Sequence, residues 1–386
     1  MKVTSGEDFN QSILVSKIIQ HESDEYTLAL GKEVAIGSVD KELRLLWEAD
    51  KASTNASLIN LAVYSEEKGA VLKNSELVQE ITREHACRAI LIGIDRENPE
   101  ASIRAWITAH CHLSHGRKSV CCEQIAFQLT GRATGRLRNT VFSHLNSDLP
   151  LVFWWQGELS PIFTERLYSL IDRFVFDSSE WVDPLTSFRC IEQVMGDAED
   201  LTPMDMEWTR SYQIRLAIAG LFDDPLAARA LEHINKIHIV IHPDNKMAGL
   251  QLLAWIVQRT GWTRNPDLGL VANADDHFYF QTHEGSDVTV IVETNPAGAP
   301  IGLIELSGNN CTVRVSREVD SPYLHQQLDA GQHQIDRCTP ATSDDSSDLV
   351  INQLSRGGKN ALYRKIIPVF LSLIGGEDVP ELRSRR

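Results

Sequence analysis

Apolar residues in the first half of the chain follow two patterns that alternate along the sequence. Helical spacing of leucine and tryptophan over 39–51 is followed by a short apolar run, rich in β-branched residues, over 58–64. The same pair of patterns recurs over 75–85, where Ser75 occupies the expected cap position, and over 89–94. An order of helix, strand, helix and strand is typical of a parallel α/β unit.

The next segments have the lengths and compositions of strands. The runs 102–113 and 119–129 are predicted to be paired strands joined by a turn at Gly116, and 150–155 is predicted to be a further strand. In the second half, helical patterns cover 208–222 and 248–260. The helical patterns are followed by a series of short β-like runs, which indicates a second sheet.

Over 268–319, four or five β-like runs are separated by glycine and Asn-Pro signals, which indicates a mainly antiparallel sheet. The segment 349–374 has a helical pattern that is expected to break at Pro368. The first half therefore predicts a parallel or mixed sheet with flanking helices. The second half predicts an α+β arrangement that ends in helix.

With 386 residues, the chain is too long for one ordinary hydrophobic core, so two domains are expected. The acidic, proline-containing stretch 196–207 is predicted to be the linker between them. An N-terminal extension over 1–38 would precede an α/β domain over 39–195, and an α+β domain would occupy 208–386. The predicted fold class is thus α/β with two domains.

Charge and composition narrow the class of protein further. The net charge is −16, and an acidic surface repels phosphate backbones and anionic lipid, so neither nucleic acid nor a membrane is an expected partner. The N-terminus lacks the basic stretch and apolar run of a signal peptide. Seven cysteines form no even framework, which fits the reducing cytoplasm without disulfides.

The sequence contains no motif of a catalytic or nucleotide-binding site. No strand is followed by a G-x-G-x-x-G or a phosphate loop, and H-E-x-x-H and G-x-S-x-G are missing, so no cofactor is expected. The densest polar cluster holds Cys87, His110, Cys111, His112, His115, Cys121 and Cys122. Its cysteines and histidines are adjacent or alternate residues, whereas zinc sites usually use ligand pairs separated by two to four residues. The cluster is therefore not expected to bind zinc. We expect one buried cysteine per strand, although a nucleophilic cysteine beside a histidine stays open.

Two features could bind a partner. The segment from Arg117 to Arg138 carries five basic residues against one glutamate, a net charge of +4 within an acidic chain. These basic residues are Arg117, Lys118, Arg132, Arg136 and Arg138. The other feature is the pair Trp154 and Trp155 at a strand end, which could pack in the core or lie at an interface. We predict that at least one of the two tryptophans is buried.

Nine stretches, in order, resemble a known family. They are NLAVYS (60–65), CRAILI (87–92), AHCHL (109–113), VCCEQI (120–125), DLPLVFWW (148–155), FDSS (176–179), EWTRSYQIRLAIAGLF (207–222), LLAWIVQRTGW (252–262) and QLSRGGKNALY (353–363). Together they resemble the glucose-6-phosphate dehydrogenase assembly protein family, OpcA, over residues 40 to 375.

The resemblance implies a non-catalytic, cytoplasmic partner of glucose-6-phosphate dehydrogenase. Such a protein promotes the active oligomer of the enzyme and so supports the oxidative pentose phosphate pathway. Members from cyanobacteria are linked to redox control through cysteines in the second half, but here that half has only Cys190, Cys311 and Cys338, with no close pair. The alternative from the residues themselves is an enzyme acting on a sugar phosphate, with the His/Cys cluster moving protons and the basic segment binding phosphate.

Overall fold

A computed structural model of the chain describes residues 26–49, 57–114, 117–265, 276–356 and 360–375, without the side chains of 49 and 113–120. The chain divides into two compact units, which we call the first unit (residues 1–157 and 170–174) and the second unit (158–169 and 175–386). The predicted linker at 196–207 does not coincide with this division, since it lies wholly within the second unit.

The described strands are β1 (Lys32–Val34), β2 (Ile59–Ser65), β3 (Cys87–Asp95), β4 (Ile103–Ser114), β5 (Arg117–Thr130), β6 (Leu151–Trp155), β7 (Arg173–Phe176), β8 (Thr202–Asp205), β9 (Ile234–Ile241), β10 (Thr263–Arg264), β11 (Asp276–Gln281), β12 (Asp287–Thr294), β13 (Ile301–Gly308), β14 (Cys311–Ser316), β15 (Tyr323–Ala330) and β16 (His333–Pro340). The described α-helices are α1 (26–30), α2 (Val39–Ala49), α3 (Ala70–Glu84), α4 (Leu137–Val141), α5 (Glu165–Tyr168), α6 (Pro184–Asp197), α7 (Met206–Arg210), α8 (Tyr212–Phe222), α9 (Pro225–Ala230), α10 (Lys246–Thr260), α11 (Ser346–Ser355) and α12 (Ala361–Gly375).

The sheet of the first unit is mixed, as the sequence predicts. Its strands run in the order β1-β4-β5-β3-β2-β6. Strand β2 pairs in parallel with β3 and β6, and β3 pairs in parallel with β5, whereas β4 is antiparallel to both β5 and β1. The central strands are buried on both faces, which is why they read as continuous apolar runs rather than as alternating ones.

One local prediction in the first unit is wrong. Helix α3 begins at Ala70 after Gly69, whose φ of 79° is a left-handed conformation that glycine tolerates, so Ser75 lies inside the helix rather than at its cap. The end of the predicted extension is joined to the sheet, because β1 pairs with β4 and Leu30 is fully buried. Residues 1–25 and the predicted turn at Gly116 lie outside the described residues.

The sheet of the second unit has eight strands in the order β10-β11-β12-β9-β13-β14-β15-β16. It is mainly antiparallel, as predicted, and the pair of β9 with β12 is its parallel step. The hairpin of β15 and β16 was not predicted from the sequence, because its long polar side chains leave little apolar alternation. Along β9 the isoleucines at 237, 239 and 241 are buried, which gives this strand one apolar face.

The predicted linker is not an exposed connection. Residues 201–207 are all buried and contain strand β8 and the beginning of α7, despite their acidic composition. The predicted break at Pro368 is also absent, since α12 continues through this residue. Proline removes one helical hydrogen bond, but Ile366, Ile367 and Phe370 are buried around it, and this packing holds the helix together.

Both Trp154 and Trp155 are buried, with exposed fractions of 2% and 0%. The Trp155 ring lies 4.2 Å from that of Tyr64 and 6.4 Å from that of Phe174, measured between centroids. The prediction that at least one of the pair is buried is therefore confirmed. These contacts make Trp155 part of the hydrophobic core of the first unit.

We expect Trp155→Ala to lower the free energy of unfolding by about 3–5 kcal/mol, the usual cost of truncating a buried aromatic side chain. Chemical denaturation of the purified variant measures this loss. Val182→Ala is the control, because Val182 is 93% exposed and its truncation should leave stability unchanged. A Trp155→Ala protein as stable as the parent would contradict the core position of this ring.

Candidate functional site

Three exposed arginines project from one segment that the fold holds in place. The segment follows β5 as a 3-10 helix, Gly131–Arg136, and continues into α4. Leu137 and Val141 are buried, and they anchor the segment to the first unit. Arg132, Arg136 and Arg138 lie on its exposed side. None of them takes part in an ion pair in the described part of the chain, so their charges are free to meet an acidic partner.

The basic segment of the sequence is not one patch in space. Arg117 and Lys118 stand at the beginning of β5, opposite Ser114 and Leu113 of β4, and their own side chains lie outside the described residues. A strand of 14 residues spans about 45 Å at ~3.3 Å per residue. The extended strand therefore separates this pair from the three arginines beyond its other end, and only the three arginines form a candidate surface, which we call the arginine surface.

The tryptophan pair is not available as a docking surface. Both rings are buried inside the first unit, because strand β6 is covered on both faces. The prediction of Trp154 and Trp155 as partner-binding residues therefore disagrees with their position. The sequence could not decide the matter, since a tryptophan pair after an apolar run has the same pattern in a core and at an interface.

A cleft opens where the parallel strands β2 and β3 end, the edge at which α/β sheets usually bind ligands. It has a volume of about 640 Å³. Glu66 accepts two hydrogen bonds from Arg96, at 2.8 and 3.0 Å, and another from the Tyr64 hydroxyl. Glu67, Asp95 and Glu97 also line the cleft. These carboxylates disfavour a phosphate or pyrophosphate group, and the one arginine of the cleft is already occupied.

The His/Cys cluster packs within the first unit, partly buried, apart from His115, which lies outside the described residues; one expectation about it is wrong. Cys111 and Cys121 are directly opposite on β4 and β5 and form a disulfide, contrary to the expectation of no disulfide. The sequence did not reveal this bond, because the two cysteines lie 10 positions apart and only the register of the two strands brings them face to face. His110 contacts the Gln124 side chain at 2.8 Å, and His112 contacts the Thr82 hydroxyl at 3.0 Å.

The electrostatics of this cluster do not favour a nucleophile. Burial raises the pKa of the Cys87 thiol, and it raises that of Cys122 as well, so both stay protonated at neutral pH. Burial also lowers the pKa of His110 and of His112, which keeps these rings neutral. Within the described residues, no group of three or more His, Cys, Asp or Glu side chains is placed to hold a metal ion.

The second unit contains a buried polar network that sequence reasoning missed. Asp205 is completely buried and accepts hydrogen bonds from Ser178, Gln251 and Tyr363. Glu207 is equally buried and pairs with Arg210 at 2.8 Å. In the sequence these residues belong to an acidic, proline-containing stretch, which led to the prediction of a linker. Because both carboxyl groups are fully enclosed, they hold helices together rather than contact a substrate.

Burial shifts the titration of this network. It raises the pKa of Asp205 to about 6, and the nearby charge of Asp177 acts in the same direction. It raises the pKa of Glu207 to about 7, although the charge of Arg210 opposes the shift. Both carboxyl groups therefore bind protons more tightly in the folded chain than in the unfolded one. This difference links the stability of the second unit to pH.

The fold and these sites define an α/β protein with two sheet-based units, exposed arginines and no assembled catalytic cluster among the described residues. Two family models match the chain, and both describe a "Glucose-6-phosphate dehydrogenase subunit". The model of its N-terminal domain matches residues 78–193, and the model of its C-terminal domain matches residues 202–367. They cover more than two thirds of the 386 residues. The chain therefore belongs to the OpcA family, and the gap between the two matches lies close to the linker predicted at 196–207.

A curated relative supports the same family. It is a putative OxPP cycle protein OpcA of Synechococcus elongatus, 22% identical over 348 residues, which cover 85% of this chain and 74% of the relative. Among solved structures, a 3-ketoreductase of Actinomadura kijaniata is 10% identical with a TM-score of 0.45, over 83% of this chain and 98% of that one. An aldose-aldose oxidoreductase of Caulobacter crescentus is 11% identical with a TM-score of 0.46, over 83% and 99%. Likeness at this level carries no argument about function.

We expect the buried carboxyl groups to make the second unit less stable as the pH rises. A carboxyl whose pKa is raised by folding contributes stability that is fully present below its unfolded pKa and is lost as the pH rises through its folded pKa. The free energy of unfolding of the parent, minus that of Glu207→Gln, should therefore fall between about pH 4.5 and pH 7. Denaturant titrations across this range measure the difference.

The control for this experiment is Glu192→Gln, which removes an exposed carboxylate from α6. Its stability difference from the parent should stay constant over the same pH range. A constant difference for Glu207→Gln would show that folding leaves the pKa of Glu207 unchanged, and a difference that grows with pH would show that folding lowers it. Either result would contradict the expectation.

Proposed function

We propose that this protein binds glucose-6-phosphate dehydrogenase and favours the active oligomer of that enzyme without catalysing a reaction itself. The observation that carries the proposal is the match of both family models, in order, over residues 78–193 and 202–367. The name of the relative, a putative OxPP cycle protein, agrees with a role in the oxidative pentose phosphate pathway. The protein would carry out such a role in the cytoplasm, together with the dehydrogenase.

The physical mechanism would be thermodynamic linkage. A protein that binds one oligomer or conformation of an enzyme more tightly than another shifts the equilibrium by the difference in binding free energy. No residue of the binding protein needs to contact the substrate of the enzyme. The described part of the chain also contains no helix long and apolar enough to cross a membrane.

The arginine surface is our candidate for the contact with the dehydrogenase. Arg132, Arg136 and Arg138 are exposed and project from a segment anchored by Leu137 and Val141. In a chain with a net charge of −16, a group of three exposed cations is an unusual feature. Charge complementarity chiefly sets the rate and the specificity of association, so a surface of unusual sign suits partner selection.

The alternative of an enzyme acting on a sugar phosphate is weaker. Its proposed nucleophiles are buried thiols of raised pKa, Cys87 and Cys122, which are poor nucleophiles at neutral pH. Its proposed phosphate-binding residues are divided between the two ends of β5. One set of rate measurements separates the two functions.

We expect purified dehydrogenase to gain activity and to shift to a larger oligomer when this protein is added, because the added partner stabilises the active assembly. Steady-state rates and sedimentation of the mixture measure the two effects. The protein alone should not turn over glucose 6-phosphate with NADP. A dehydrogenase whose rate and size stay unchanged at saturating protein would refute the proposal. Turnover by the protein alone that is lost in His112→Ala would support the enzyme alternative.

We expect the triple variant Arg132→Glu, Arg136→Glu and Arg138→Glu to associate more slowly with the dehydrogenase and with a weaker dependence on salt. Exposed charges act over about 8 Å at physiological ionic strength, and removing them takes away the attraction that salt would screen. Stopped-flow or biosensor kinetics at several salt concentrations measure this. Stability should change little, because exposed charges contribute little to it.

The matched control changes the same amount of charge elsewhere. It carries Arg83→Glu, Arg229→Glu and Lys236→Glu, at three exposed positions outside the segment that carries the arginine surface. This control should associate at close to the parent rate. If a folded arginine-surface variant keeps the parent kinetics, or if the control slows association equally, the arginine surface is not the docking site.

A further inference from the structure

A small cavity in the second unit is lined by two arginines that have no acidic partner among the described residues. Its volume is about 150 Å³. Trp208 of α7, Tyr212 and Arg215 of α8, and Arg356 and Asn360, which lie between α11 and α12, line it. None of these residues belongs to the surface or the clusters described above. The two arginines lie more than 130 positions apart in the sequence, so the fold itself assembles the cavity.

The two guanidinium groups are fixed by stacking on aromatic rings. The Arg215 guanidinium carbon lies 3.2 Å from the centroid of the Trp208 ring, and that of Arg356 lies 3.4 Å from the centroid of Tyr212. Arg215 also donates hydrogen bonds from Nε to the Ser211 hydroxyl, at 3.1 Å, and from Nη2 to the Trp208 carbonyl, at 2.9 Å. The rings hold the planes of both cations in place before any ligand arrives.

The two positive charges lack a compensating carboxylate in the described part of the chain. Within the described residues, neither arginine forms an ion pair with a carboxylate, although Arg215 is only 6% exposed. Burial lowers the pKa of Arg215 well below its usual range, and the charge of Arg356 adds to this effect. Burial of a charge is costly unless an opposite charge accompanies it. The arrangement is therefore suited to an anion.

The N–H donors and the positive charges of the two arginines favour phosphate over other anions. Each guanidinium presents five N–H donors in a planar fork that matches the oxygens of phosphate. Arg215 uses two of these donors within the chain, and no hydrogen bond from the Arg356 guanidinium is seen in the described part. A phosphate monoester carries a charge of about −1.5 to −2 at neutral pH, which balances two arginines, whereas one carboxylate balances only one.

The size of the cavity limits the ligand to a small group. Its volume of about 150 Å³ is about half of the roughly 300 Å³ at which pockets for whole drug-sized ligands begin. A phosphate group fits within this space, and the remainder of an ester would extend outward past the half-buried Arg356.

We propose that Arg215 and Arg356, stacked on Trp208 and Tyr212, form a binding site for the phosphate group of a small phosphorylated metabolite. The site does not depend on the proposed contact with the dehydrogenase, and its test needs only this protein. The probes are inorganic phosphate, a hexose monophosphate, the unphosphorylated hexose, chloride and acetate. All are compared at one ionic strength.

The readout is the melting temperature of the full chain, since a ligand that binds the folded state stabilises it as its concentration passes the dissociation constant. Phosphate and the hexose monophosphate should raise the melting temperature, and chloride, acetate and the free hexose should not. A greater effect of the ester than of inorganic phosphate would identify an ester as the ligand. The reverse order would identify free phosphate.

The deciding variant is Arg356→Gln, because Arg356 is half-buried and its replacement should leave the fold intact. It should weaken phosphate binding at least tenfold. Arg215→Lys keeps the charge but loses the planar fork, and it should weaken binding as well. Arg229→Gln, an exposed arginine of α9, is the matched control and should respond to phosphate like the parent.

Three results would overturn the proposal. One is stabilisation by phosphate no greater than by chloride at equal ionic strength, and another is an Arg356→Gln protein that keeps the parent response. Equal stabilisation by acetate would assign the site to a carboxylate instead of a phosphate. If phosphate has no effect but Arg356→Gln abolishes binding of the dehydrogenase, the two arginines meet an acidic side chain of that partner.

Discussion

The second unit depends on one buried carboxylate, Asp205. Its side chain and its carbonyl together accept hydrogen bonds from Ser178, Gln251, Gln353 and Tyr363, which follow β7 or belong to α10, α11 and α12. An enclosed carboxylate is costly unless donors surround it, so these groups must be in place together. The position of the helices beside β8 is set by this requirement as much as by apolar packing.

The same principle, that a buried charge must find compensation, distinguishes the polar features of the chain. Glu207 has a partner in Arg210, and Glu66 has one in Arg96. The cations of the arginine surface are solvated and need no partner. The arginines of the small cavity are desolvated and have none in the described part of the chain. The two positive sites are therefore suited to different tasks, one to attraction at a distance and the other to close contact with a small anion.

Much of the fold follows from local patterns in the sequence. The parallel strands β2 and β3 were predictable because burial on both faces leaves continuous apolar runs, and α10 ends where predicted because Gly261 adopts a φ of 70°. Ser75 was misleading because its hydroxyl bonds the carbonyl of Ala29, a distant group, instead of capping its own helix. Local signals identify elements, but they do not identify the partners of a side chain.

The candidate sites were less predictable for the same reason. Adjacent basic residues looked like one patch because the sequence does not display the length of β5. The acidic stretch 196–207 looked solvated because the donors to Asp205 lie as far as 158 positions away. Arg215 occupies an ordinary amphipathic pattern, and nothing near it in the sequence indicates the stacking on Trp208 or the proximity of Arg356.

The long separation between Asp205 and its donors has a consequence for biosynthesis. Domains fold as they emerge from the ribosome, at roughly 5–20 residues per second, when their contacts are local enough to form in order. The first unit is complete once residue 174 has emerged, less than halfway along the chain, so that unit can fold early. The second unit must wait for Tyr363 before its carboxylate is fully enclosed. Until then β8 and α7 expose apolar surface, and this nascent intermediate is the stage at which a chaperone would have most to protect.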